Sequence, residues 1–171
     1  MSAEAEFDAD RNITLLGGNR IVFHCHHYNL FLQRTIDDAL GADAAEVQRA
    51  AAAESARRLL EPLLGASGKE PVRARLDRAA ALFGKLGFGL ADVSALDAEG
   101  GRVRLVTSHY ALGWREKFGP AADPVCHFAA GFWASALGVS AGLAPERLLV
   151  REASCAAVTE QGACEIQVEV L

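Results

Sequence analysis

Hydrophobic and polar positions along this chain follow two periods, helical in the first half and strand-like in much of the second. Residues 13–16 and 20–23 are short apolar runs separated by Gly17, Gly18 and Asn19. Those three residue types tolerate the positive φ of a tight turn, so the spacing predicts a β-hairpin after a polar arm over residues 1–12. From about Tyr28 to Leu40, apolar residues at Leu30, Phe31, Ile36, Ala39 and Leu40 recur at helical period, and Gly41 supplies a stop. Asp43 with Glu46 three residues on resembles a capping box, which predicts a long surface-facing helix to about Leu60, ahead of Pro62 and Gly65. Pro71 suits the first turn of another helix, in which Val72, Leu76, Ala79, Leu82, Phe83 and Leu86 mark one apolar side.

Beyond Gly87 and Gly89 the period shortens. Residues 90–96 and 102–107 flank a turn-forming run from Asp97 to Gly101, the pattern of two strands joined by a tight loop. A loop containing glycine and proline then leads into a helix over about 124–137. Residues 148–153 and 165–170 are strand-like, and in the second Ile166, Val168 and Val170 face one way while Glu165, Gln167 and Glu169 face the other. Helices come early, strands late, and the connections are hairpins. That order predicts an α+β fold, an antiparallel β-sheet packed against helices on one face. With 171 residues, 51% of them hydrophobic, one domain over residues 13–171 buries a sufficient core.

Charge narrows the partners. Lys and Arg number 17 against 22 Asp and Glu, a formal charge of −5, which argues against nucleic acid. The opening MSAEAEFDAD has neither the basic nor the apolar region of a signal peptide, and no run approaches the roughly 18 apolar residues of a membrane span. The chain reads as soluble and cytoplasmic, with no membrane partner and with reduced thiols. Its four cysteines are then candidates for metal or redox chemistry.

Cys126, Glu152, Cys155 and Cys164 make a four-ligand set of three thiolates and a carboxylate. Cys155 closes one predicted strand and Cys164 opens the next, so a hairpin brings them together, with Glu152 just upstream. Cys126 begins a predicted helix, whose positive end favours a thiolate. Tetrahedral zinc accepts sulfur and carboxylate oxygen. The spacing alone also admits buried, metal-free thiols and a solvated glutamate.

The stretch PVCHFAAGFWASALG followed by LLVREASCAAVTEQGACEIQV resembles the C-terminal half of the 4-vinyl reductase domain family. The shared pattern is Pro-x-Cys before a glycine-containing helix, then Glu-x-x-Cys in a strand and a second Cys after a short loop. LGFGLADV and VRLVTSHYAL suit that family's two central strands. The chain is similar too to the aromatic-sensing input domains of phenol- and xylene-responsive activators, in which such a set binds zinc, and to the small subunits of vesicle-tethering complexes. The resemblance covers residues 80–171 and extends to the N-terminal half only in element order. One departure lies in the loop: Ala156, Ala157 and Val158 stand where the family has a glycine, and Gly162 comes later. The resemblance implies a structural zinc on Cys126, Glu152, Cys155 and Cys164 that staples the C-terminal hairpin, and a homodimer formed through helices. It also implies a hydrophobic pocket near that hairpin for a small hydrophobic or aromatic ligand. Phe128, Phe132, Trp133, Val106 and Leu105 are its candidate walls, and their spacing equally suits plain core.

A second cluster stands apart. His24, Cys25, His26, His27 and Tyr28 are consecutive at the junction of the first hairpin and the first helix. On a strand His24 and His26 share a face; on a helix His24 aligns with His27 and Tyr28. Converging imidazoles would serve as ligands for a second metal or a haem, or as an acid/base pair, with Cys25 as a nucleophile. Solvated histidines at a turn are the alternative. His109 and Tyr110 either reach the same cavity or lie on a surface loop, and His127 adjoins a candidate zinc ligand. Two functions therefore compete most closely: a small-molecule binding module, and a hydrolase- or lyase-type enzyme built on the histidine cluster. A tethering scaffold is the weakest of the three readings.

Overall fold

The computed structural model describes residues 4–65, 70–159 and 162–171. Its first strand, β1 (Ala5–Asp8), lies within the predicted polar arm and pairs antiparallel with β2 (Ile13–Leu16), which pairs in turn with β3 (Asn19–Ile21). Gly17 and Gly18, at φ 55° and 82°, form the two-residue loop between β2 and β3, and both occupy the left-handed region that this hairpin turn requires. The result is a small three-stranded sheet, separate from the main one.

Three helices follow: α1 (His26–Leu40), α2 (Ala44–Leu64) and α3 (Val72–Lys85). The predicted cap of α2 does not form. A short 3-10 turn over Gly41–Asp43 leaves Asp43 in helical backbone, where its side chain makes no cap hydrogen bond, and Glu46 pairs with Arg49 instead. Pro62 lies inside the last turn of α2 and does not end it. Nor is α2 only a surface helix: Ala52, Ala56, Leu60 and Leu64 are buried.

The main sheet has strand order β4-β5-β7-β6, all antiparallel, from β4 (Ala91–Asp97), β5 (Gly100–Leu105), β6 (Leu148–Ser154) and β7 (Cys164–Val170). Between β5 and β6 come α4 (His109–Phe118) and α5 (His127–Ala141). Helix α4 replaces the loop expected there. Ser108 caps it, its hydroxyl accepting from the Ala111 N–H at 3.3 Å, and Gly119 at φ 80° ends it.

One sheet face carries Val93, Leu96, Val103, Leu105, Ile166 and Val168, all buried in the core with α3 and α5. The other face is charged, with Arg102 near Glu165 and Arg151 near Glu169. Helix α5 is buried on nearly every side, because α2 covers what the sheet does not. At Gly131 the two helices touch backbone to backbone: a Cβ there would lie 2.3 Å from the Arg49 carbonyl oxygen. Ser135 ties the pair further by donating to the Ala53 carbonyl at 2.6 Å.

Candidate functional site

The β6–β7 hairpin and the start of α5 bring Cys126, Glu152, Cys155 and Cys164 together, with one ligand atom of each inside a mutual 4.8 Å. Strand register explains how. Side chains alternate across a strand, so Glu152 and Cys155, three apart, would ordinarily point to opposite faces. A bulge between Glu152 and Ser154 inserts one extra residue and restores Cys155 to the inner face. Cys164 is already inward, in the same alternation as Ile166 and Val168. Cys126 comes from the loop before α5, and that loop is anchored by buried Gln33 of α1, whose side-chain amide donates to the Val125 carbonyl at 2.8 Å.

The donors are held from several sides. The Cys126 N–H donates to Glu152 Oε2 at 2.8 Å, the Ala156 N–H points at Cys164 Sγ at 3.3 Å, and Cys126 Sγ lies 3.5 Å from Cys164 Sγ. Ser108 Oγ stands 3.1 Å from Cys126 Sγ, a contact that follows from the missed α4 cap. The loop after Cys155 turns back on itself, with the Val158 and Thr159 N–H groups both donating to the Cys155 carbonyl at 3.1 Å. It needs no glycine at 156–158, because none of those residues has a positive φ; Gly162, at 110°, does.

The cluster's electrostatics ask for a cation. Burial first, and the neighbouring Cys155 second, push the Glu152 carboxyl up to about 9, and its Oε1 is buried with no hydrogen-bond partner. Hydrogen bonding to Cys155 and Cys164, with burial, drives the Cys126 thiol far up, while hydrogen bonds from Cys126 and Cys155 hold Cys164 down. All four groups are of types that bind metal ions once deprotonated. A cation at their centre would offset repulsion among deprotonated donors and give Glu152 Oε1 a partner. The donor set is able to hold a metal ion.

The five consecutive residues at the start of α1 are arranged differently. Cys25 is the residue before the helix, and His24, Cys25, His26, His27 and Tyr28 are all exposed. His24, which precedes the helix, stacks on Tyr28 at 4.6 Å, and His26 lies 3.9 Å from His27. No hydrogen bond joins Cys25 to an imidazole among the described residues. His109 and Tyr110 open α4 and do not lie on a surface loop; Tyr110 is buried against Phe88 and Phe128. His127 is buried beside the thiol cluster, and burial pushes its imidazole down to about 4.

Two apolar cavities flank Phe88. One of about 300 Å³ has Ile21, Leu59, Leu86, Phe88, Phe128 and Phe132 as apolar walls and Asn19, Arg20, Ser55 and Arg58 at its rim. The other, of about 430 Å³, has Leu16, Ile21, Val22, Phe23 and Leu86 in its walls together with His24, Asn29 and Lys85. Of the walls expected from sequence, Phe128 and Phe132 border the first cavity, whereas Leu105 and Trp133 are fully buried core and Val106 is exposed. Beside Glu152 lies a cleft of about 840 Å³ whose walls mix charged Arg34, Asp37, Asp38, Arg49 and Arg151 with apolar Trp114, Phe118, Pro120, Pro124 and Val125. A groove of about 780 Å³ between α2, α5 and β6 has no aromatic residue in its walls.

No protein-family model matches the chain, and no curated protein matches it. Among solved structures it is similar to the crystal structure of the phenol-responsive sensory domain of the transcription activator PoxR with phenol. The TM-score is 0.78, and the alignment covers 97% of this chain and 84% of that one at 20% identity. The two proteins share a fold. No helix among the described residues is long and apolar enough to cross a membrane.

Proposed function

We propose that this chain is a cytoplasmic, homodimeric binding module of the 4-vinyl reductase domain type, which holds a small aromatic or apolar molecule. The observation that carries the reading is the cavity walled by Phe88, Phe128 and Phe132 under the β2–β3 hairpin. Its volume of about 300 Å³ is at the small end of ligand pockets, which suits a single ring, and three phenyl faces offer stacking and edge contacts to it. The fold shared with a phenol-responsive sensory domain supports the same ligand class. Zinc, held by Cys126, Glu152, Cys155 and Cys164, is structural in this reading: it ties the β6–β7 hairpin to the start of α5, from which Phe128 and Phe132 project. Exposed Val22, Phe23, Phe31 and Leu32 support a second copy as partner.

Thermal denaturation with phenol as the probe tests the ligand. A saturable rise in Tm is expected for the unmodified protein and none for Ser55→Trp, which fills the cavity mouth. A rise that survives that substitution contradicts the assignment. Elemental analysis is expected to give about one zinc per chain, with Cys155→Ser lowering both metal content and stability. A metal-free protein of full stability contradicts the zinc centre.

A further inference from the structure

Three histidines outside the thiol cluster meet where two helices begin. His26 and His27 are the first residues of α1, and His109 is the first residue of α4. The His26 ring lies 3.9 Å from that of His27 and 6.1 Å, edge-on at 76°, from that of His109. His109 is the fixed member. Its backbone N–H donates to the Phe88 carbonyl at 3.0 Å and its ring packs edge-on against Tyr110 at 4.9 Å, while the ring Nε2 is buried and has no hydrogen-bond partner. A buried imidazole nitrogen left unpaired is a polar group still owed a partner.

We propose that His26, His27 and His109 form a second metal site, for a divalent transition ion of the kind that imidazole favours, such as nickel, copper or zinc. The ring nitrogens of the three do not converge on one point as they stand, so binding an ion beside His109 requires the exposed His26 and His27 side chains to rotate. His24 is outside the set, stacked on Tyr28. Three imidazoles leave one position of a tetrahedral ion open to water or a small ligand. None of its three ligands belongs to the thiol cluster or lines the aromatic cavity.

Nickel chloride titrated into the purified protein, followed through the ring resonances of each histidine by NMR, tests this site. The signals of His26, His27 and His109 are expected to broaden together, before that of His24, with broadening of His127 reporting any nickel at the thiol cluster separately. His26→Ala and His109→Ala are each expected to weaken nickel binding at least ten-fold, and His24→Ala less than two-fold. Binding that survives His109→Ala would mean chelation by adjacent histidines alone and would overturn the proposal. Absence of broadening at His109 in the unmodified protein overturns it as well, and decides the matter if His109→Ala fails to fold.

Discussion

Replacing Glu152 by glutamine is expected to have opposite effects on stability with and without metal. In the metal-free protein the carboxyl is pushed from 4.5 to about 9, chiefly by burial. A raised carboxyl is neutral in the folded chain at pH 7 but ionised in the unfolded one, so folding there must take up a proton. Holding that proton costs about 3 kcal/mol at pH 7 and nothing near pH 4, below both values. Glutamine is neutral in both states, nearly the same shape, and retains an oxygen for the Cys126 N–H now bonded at 2.8 Å. The metal-free E152Q protein should therefore be more stable at pH 7 by up to about 3 kcal/mol, with the gain fading toward pH 4. With zinc bound, the substitution removes an anionic ligand and should lower metal affinity by more than the roughly 10–100-fold that loss of a supporting partner costs. Urea denaturation of both variants, with and without chelator, measures both limbs. A stabilisation that persists in the metal-loaded protein, or a destabilisation in the metal-free one, refutes the assignment of Glu152 as a buried ligand.

Other consequences are independent of that site. Gly131→Ala should destabilise the protein by about 1–3 kcal/mol despite alanine's better helix propensity, because its Cβ meets the Arg49 carbonyl at 2.3 Å and the Ala53 nitrogen at 2.7 Å; an unchanged or raised Tm would show that α2 and α5 are not in backbone contact. His127, lowered to about 4 by burial, resists protonation that the unfolded chain accepts at 6.5, so it contributes stability above 6.5 that is lost as pH falls toward 4. That loss approaches about 3 kcal/mol and should be absent in His127→Phe, so denaturation of the two variants between pH 7 and pH 4 isolates it from the shared loss of metal. A parallel decline in both variants would place His127 in solvent.

Much of the main sheet was legible because its strands bury one face. The alternation through Ile166, Val168 and Val170 is unambiguous, and the glycines between residues 13–16 and 20–23 name the turn they make. The convergence of Cys126, Glu152, Cys155 and Cys164 followed from placing them at the ends of neighbouring elements, although the bulge that turns Glu152 and Cys155 to one side leaves no trace in spacing. Strand β1 was hidden because Ala5, Glu6 and Phe7 are all exposed and carry no periodic signal. Helix α4 carries its signal in its ends and not in its period: Ser108 at its start, Gly119 after its end, and Arg115 and Lys117 in its last turn. The depth of α2 was missed for a different reason. Alanines at Ala52 and Ala56 look like surface helix formers, but small side chains are what let another helix backbone come close. The histidine run suggested a pocket through its apolar neighbours Val22, Phe23 and Phe31; Val22, Phe23 and His24 do line the cavity of about 430 Å³, whereas His26, His27 and Phe31 are exposed outside it.

The most direct test of the proposed binding function is site-resolved NMR of the protein titrated with phenol. Saturable shifts are expected at the methyl and ring signals of Ile21, Leu59, Leu86, Phe88, Phe128 and Phe132, the apolar walls of the cavity beneath the hairpin. Saturable shifts confined to the α2–α5–β6 groove, or none anywhere, would contradict the account.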